Sequence, residues 1–295
     1  MLSVASTQKT PPKARKQSEM TAVARRLSQN SSAVIGFVVA TILVLMAIFA
    51  PLIAPYPYDK QNLLDRRQAP SGEHIFGTDE LGRDIFSRVV YGSRYSLSIG
   101  FLAVLFSSGI GMLLGAMAGY FGGVVDDIIM RLIDVIQSIP HILLAISISV
   151  VLGPGFFNTL LALGFGMITM ACRLTRASVL GVRNEEYLEA ATSINAGTGR
   201  IIFRHVLPNS FSPLLVSASM SIGNVIMAAA MLSFIGLGVQ PPLPEWGSMI
   251  AGGRTLIRSC PWMVTFPGIF IMLAVLSLNM FGDGLRDALD PKLKK

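Results

Sequence analysis

Six long apolar stretches alternate with shorter polar, charged segments along the chain. A bilayer core demands about 20 consecutive, mostly apolar residues from a helix that crosses it. The stretches 33–54, 95–119, 128–152, 156–172, 214–238 and 262–282 meet or approach that length and predict six spanning helices. Pro51 and Pro55 mark the end of the first. Ser212 and Pro213 mark the start of the fifth, as cap and first helical residue. Pro140 removes a backbone donor within the third and predicts a kink there, and Pro267 predicts one in the sixth. The expected fold is therefore all-α and polytopic. It divides into a basic tail (1–30), a first span with its following loop (31–94) and a helical core (95–295).

One polar segment differs from the others. Residues 183–208, RNEEYLEAATSINAGTGRIIFRHVLP, read as two short helices with a tight break. Asn184 suits an N-cap, and Glu185 and Glu186 then place negative charge in the first turn, where the helix dipole favours it. Tyr187, Leu188, Ala190, Ala191 and Ile194 form an apolar stripe at helical spacing. Asn195, Ala196 and Gly197 should end that helix, because Asn and Gly tolerate a left-handed backbone. Thr198 is the expected cap of a second helix over 201–207, and Pro208 its expected stop. Such a hairpin cannot lie in lipid, where its charges and broken backbone would go unsatisfied. It is either a solvated loop or a surface that meets a partner.

Composition changes the picture little and charge changes it more. Hydrophobic residues make up 52% and charged residues 14% of the chain; an average soluble domain carries about 25% charged residues. The net charge of +7 comes without the aromatic-and-basic patch or motif of a nucleic-acid binder. With the N-terminus inside, 15 Lys and Arg fall on cytoplasmic segments (six of them in the tail; Arg173, Arg176, Arg183, Arg200 and Arg204 around the hairpin; four at the C-terminal end) against 8 outside. The positive-inside rule then places both termini and the hairpin in the cytoplasm. The tail is too long and the next apolar run too wide for a cleaved signal peptide. Cys172 and Cys260 fall on opposite sides of the membrane and are not expected to bridge.

No catalytic set is legible. There is no G-x-x-x-x-G-K-[ST], so the chain does not bind ATP through a P-loop. His74, His141 and His205 are scattered without metal-ligand spacing, and no cofactor or metal is expected. Arg131 and Asp134, three residues apart in the third span, read as an ion pair or as transport residues. Asp134, Ser138, Asn224 and Asn279 are the candidates for a translocation path; Asn224 and Asn279 serve equally well as interhelical glue. The segment 76–97 predicts a turn at Gly77-Thr78 and an amphipathic helix from about Asp79, braced by Asp79–Arg83 and Asp84–Arg88 and anchored at the interface by Phe86 and Tyr91. The Pro-rich run 233–250 carries Trp246 and reads as a rigid external gate, as an anchor, or as a loop that simply packs.

Glu189-Ala190-Ala191, a following turn and then Leu207-Pro208 resemble the EAA loop of ABC importer permeases. The usual turn glycine of that loop is Asn195 here, and His205 replaces a usual Ile. RHVLPN over 204–209 resembles the peptide-importer branch, as do GTDELGRD and YGSRYSLSIG over 77–100, GLGVQPPLPEWGSM over 236–249, and GDGLRDALDP over 282–291. The similar stretches cover most of 76–293. The resemblance implies a type I importer permease fold in a bacterial inner membrane. In that fold Glu185, Glu186, Leu188, Glu189, Ala190, Ala191, Asn195, Ala196, Gly197, Leu207 and Pro208 form the coupling loop that docks on an ATPase. It further implies a homologous second permease, two ATP-binding subunits, an extracytoplasmic substrate-binding protein and a peptide substrate, with nickel or another small solute as alternatives within the branch. A self-contained channel or secondary transporter is the competing class; it calls for a buried ion site or inverted repeats.

Overall fold

A computed structural model describes residues 19–183, 185–193 and 196–289. The first 18 residues of the tail, the Asn184 cap, Ile194 and Asn195 of the turn, and the lysines beyond 289 lie outside the described residues.

All regular structure among the described residues is helical. Helix α1 (Glu19–Gln29) leads into α2 (Ser31–Ile48), whose first turn is capped by Asn30 accepting from the Ala33 N–H at 3.2 Å. The single turn α3 (Ala50–Ile53) carries Pro51 in its first positions. After an irregular segment come α4 (Ile85–Phe121), α5 (Gly123–Gln137), α6 (His141–Leu152), α7 (Phe156–Val182), α8 (Glu186–Ser193) and α9 (Thr198–Ile201). A π-helical turn (Ile202–Val206) joins α9 to α10 (Leu207–Phe234), followed by α11 (Trp246–Gly253) and α12 (Trp262–Leu289). Helices α2, α4, α7, α10 and α12 are each long and apolar enough to span, and the pair α5–α6 makes a sixth span if read together.

The most extensive helix contact joins α4 to α7, and glycine makes it possible. Gly111, Gly115 and Gly119 repeat every fourth residue on one face of α4. A Cβ at Gly115 would sit 2.3 Å from the Cys172 carbonyl oxygen, and one at Gly111 2.5 Å from the Ala171 Cβ. Small residues at this spacing let two backbones approach, the main source of helix affinity inside a membrane. Cys172 and Cys260 are buried and free, in separate clusters with Ile133 and Ile168 and with Trp246 and Met263 respectively.

Several sequence expectations need correction. The third span is not one kinked helix: α5 and α6 meet at 84° across residues 138–140. Pro140 supplies no N–H and pushes its predecessor out of helical dihedrals, so the ladder stops before it rather than bending through it. Pro208 does not stop a helix. It sits in the first turn of α10, where its missing N–H costs nothing. Pro213, expected to open the fifth span, lies inside α10. Thr198 is the first residue of α9, and Gly197 occupies the N-cap position. Pro267 lies within α12, which continues past it.

Helix α4 begins at Ile85, not near Asp79. Asp84 caps it by accepting from the Ser87 N–H at 2.7 Å, and its other oxygen meets His74 Nδ1 at 2.9 Å. Asp79 shapes a turn instead, accepting from the Leu81 and Arg83 N–H groups and from Arg83 Nε at 2.6 Å. Arg88 donates to the Tyr58 carbonyl at 2.9 Å and lies 3.7 Å from Asp79, not on Asp84. Phe86 packs edge-on against Phe76, which stacks on Phe266 at 3.9 Å. Tyr91 lies beside Tyr58.

Trp246 is not at an interface; it is fully buried. Its Nε1–H donates to the Val89 carbonyl at 2.9 Å, and its backbone N–H to Ser96 Oγ at 3.1 Å. Glu245, buried beside it, caps α11 by accepting from Gly247 and Ser248 at 2.9 and 2.8 Å, and accepts from Ser96 Oγ at 3.2 Å. The 233–250 run is thus a packed plug that ties α4 to α10 and α12.

Candidate functional site

The hairpin forms because its apolar stripe finds a floor. Leu188, Ile201, Ile202, Val206 and Leu207 are buried and pack with Ala116 of α4 and Val179 of α7. Met112, Tyr120, Val182 and Ala196 close the edges of that cluster. Leu188 and Leu207 therefore hold the hairpin to its own spans and are not presented outward. Glu185, Glu186, Gly197 and Pro208 are exposed, as are Thr198, Gly199 and Arg200. The backbone carries Glu189, Ala190 and Ala191 on α8; their side chains and Asn195 lie outside the described residues. The exposed rim is short, mixes its polar residues with the exposed rings of Tyr187 and Phe203, and is seated on this apolar cluster.

A cavity of about 670 Å³ opens where α5 and α6 break, against α7 and α10. Gln137, His141, Thr169, Ser221 and Asn224 put polar groups on its wall, and Met167, Met170, Met227 and Met231 line much of the rest. Among the described residues no Asp, Glu, Lys or Arg lines it. Flexible methionines and neutral hydrogen-bonding groups make a surface that accommodates varied shapes without fixing any one.

The four path candidates part company here. Asn224 is on the cavity wall. Asn279 is not: its Oδ1 lies 3.3 Å from the position a Cβ on Gly223 would take, which puts it in the seam between α10 and α12. Ser138 sits at the break, donating to the Val135 carbonyl at 2.7 Å. Asp134 is paired with Arg173 of α7, not with Arg131, which is exposed. Sequence reasoning passed over the methionines, although the pairs Met167/Met170 and Met227/Met231 at helical spacing mark one face on each of two helices. It also passed over Ser221, three residues before Asn224 and on the same face.

A second cavity of about 270 Å³ lies at the other end of the molecule, between Asp79, Arg83, Arg88 and Met263. Asp79 there pairs with Arg83 at 2.6 Å and lies 3.7 Å from Arg88. Among the described residues no three His, Cys, Asp or Glu groups converge as metal ligands.

A bundle of spanning helices around a cavity that, among the described residues, no Asp, Glu, Lys or Arg lines is compatible with a membrane transport component. Residues 111–295 match the family model described as the inner membrane component of binding-protein-dependent transport systems, and residues 18–70 match the N-terminal transmembrane domain of oligopeptide transport permease C. The chain belongs to this family of inner membrane transport components, and it is a multi-pass inner membrane protein. ATP hydrolysis in such systems is the work of separate subunits. It is 48% identical to a dipeptide transport system permease protein of Alkalihalophilus pseudofirmus, over 92% of this chain and 89% of that one. It is 41% identical to an oligopeptide transport system permease protein of Bacillus subtilis, over 92% and 88%. Among solved structures, an inward-facing methionine ABC transporter aligns with a TM-score of 0.55 at 18% identity, covering 69% of this chain and 97% of that one. That likeness concerns the fold.

Proposed function

We propose that this chain is the permease subunit of an importer for di- or oligopeptides, working by alternating access. Relatives named as dipeptide and oligopeptide permeases, at 41–48% identity over nearly the whole chain, carry this reading. In it, two ATPase subunits bind the hairpin through Glu185, Glu186, Glu189, Ala190 and Ala191. A second, homologous permease completes the pore, and a binding protein delivers peptide to the opposite face. The cavity around Asn224 is this subunit's half of the path. Its neutral, methionine-rich wall suits a substrate whose side chains vary in charge while its backbone amides do not.

Purification of the complex from membranes tests this. Two nucleotide-binding subunits, a second permease and a binding protein should co-purify, and peptide bound to that protein should drive ATP-dependent uptake into vesicles. Uptake of nickel without uptake of peptide would overturn the substrate assignment.

The hairpin side is assigned to the cytoplasm. The Lys/Arg asymmetry supports this, and Arg26 of α1 donates to the Ala288 carbonyl of α12 at 3.4 Å, which brings both described ends together on one side. Single cysteines at Ser28 and Asp287 should resist an impermeant thiol reagent in intact cells, whereas one at Ser71 should react. Labelling of Ser28→Cys from outside would reverse the orientation.

A further inference from the structure

Helix α5 has the connections of a lever. It packs lightly, chiefly on α4 and α7, and only Ile133 of its 15 residues is buried. A hinge stands at each end. Before it, Gly122 and Gly123 take φ of +66° and +51°, a left-handed backbone that glycine adopts freely. After it, the chain breaks at 84° into α6. Its last turn, with Ile136 and Gln137, forms part of the cavity wall.

Two arginines of α7 hold this lever by ion pairs, and a third lies over its first hinge. Arg176 of α7 meets Asp126 in a two-pronged pair, Nε to Oδ1 and Nη2 to Oδ2, both 2.5 Å. Arg173, one turn earlier, pairs with Asp134 two turns further along α5. Arg183, just past the end of α7, lies over the first hinge: a Cβ on Gly122 would come within 2.9 Å of its Nη1. Asp126 and Arg176 are mostly shielded, with side-chain exposures of 16% and 32%. A forked guanidinium–carboxylate pair in that setting fixes direction as well as distance, which Lys or a single hydrogen bond does not. Helix α7 then runs straight into the hairpin, whose cluster is built on Val179 and Val182.

We propose that α5 is the moving wall of the cavity and that Asp126–Arg176 is the pin by which it follows α7 when the hairpin is displaced. Asp134–Arg173 is a second, more exposed point of attachment, and Arg183 holds the hinge. These are positioning residues; none need touch substrate. The inference rests on the hairpin being the ATPase platform, and the test separates the two.

The readout is the reactivity of a cysteine at Gln137 in the assembled complex, with Cys172 and Cys260 replaced by alanine, measured without nucleotide and in the ATP-bound state. The wild-type background should show a change of about fivefold or more. Arg176→Gln should cut that change to below about twofold with the ATPase subunits still bound, and uptake should fall while ATP hydrolysis continues. Reversing the pair, Asp126→Arg with Arg176→Asp, should restore the response, which a general folding defect would not allow. A full nucleotide response in Arg176→Gln, or a loss the reversed pair leaves unrepaired, would overturn the lever. A wild-type complex that holds its ATPase subunits yet gives no response at residue 137 would overturn the lever alone, whereas ATPase subunits that stay bound and support uptake when the hairpin is disrupted by Ala190→Arg would overturn the platform reading, and the lever with it.

Discussion

Ala190→Arg is expected to strip the ATPase subunits from the complex while the protein itself still inserts at normal levels. On the proposed reading, α8 docks closely because Ala190 and Ala191 are small. An arginine there inserts a long charged side chain into an interface built for contact. An unpaired charge buried in this way costs several kcal/mol, and every ~1.4 kcal/mol is tenfold in affinity. ATPase recovery should therefore fall about 100-fold or more, and uptake should vanish with it. The spans should not register the change, because the cluster that seats the hairpin is made by Leu188, Ile201, Val206 and Leu207. Pull-down of the ATPase subunits beside a membrane-expression control decides the matter. Glu189→Ala is the finer probe: a carboxylate paired across the interface would lower transport-coupled hydrolysis more than assembly. Wild-type recovery and uptake with Ala190→Arg would remove the coupling assignment and bring the self-contained channel forward.

Trp246→Ala should produce the largest loss of stability from any single truncation on the opposite side of the molecule. The indole is fully buried, lies near the Phe270 ring, and sits so close to Gly92 that a Cβ there would meet it at 2.8 Å. Truncating a buried Trp to Ala costs about 3–5 kcal/mol through lost contacts and the cavity left behind. A folded domain has only about 5–15 kcal/mol in total. The purified subunit should melt many degrees lower, and its amount in the membrane should drop. Trp246→Phe keeps most of the ring volume and loses only the Nε1–H bond to the Val89 carbonyl, a change of about 1 kcal/mol. Equal melting temperatures for Trp246→Ala and wild type would mean that the plug contributes nothing to holding α4, α10 and α12 together.

Much of this was legible from residue order alone. Length and apolarity identify the spans because a bilayer leaves the backbone no alternative to helix. The charge distribution gives the expected orientation, and the resemblance of Glu189-Ala190-Ala191 and Leu207-Pro208 to the importer-permease loop implies a subunit worked by separate ATPases. The hairpin stands out because its charges cannot enter lipid. Composition and local spacing carry these conclusions, since each depends on a residue and its near neighbours in the chain.

Other features rest on residues far apart in sequence. Asp134 has Arg131 one turn away, yet it pairs with Arg173, which the packing of α7 beside α5 brings within reach. Asn224 and Asn279 look alike in the sequence, and only the facing helices show that one lines a cavity and the other a seam. Trp246 has the flanks of an interfacial residue, but Ser96 and Val89, about 150 positions earlier, supply the partners that let it be buried. Pro208 could equally end one helix or begin the next, because local dihedral preference is the same for both. The π turn at 202–206, which lets the chain run on from α9, settled the choice. The sequence by itself determined that the chain crosses a membrane and where its polar hairpin falls, because solvation by lipid acts on each segment separately. Which side chains face the cavity, which pair, and which hold α5 to α7 was decided only by the tertiary structure, because those outcomes depend on how helices pack against one another.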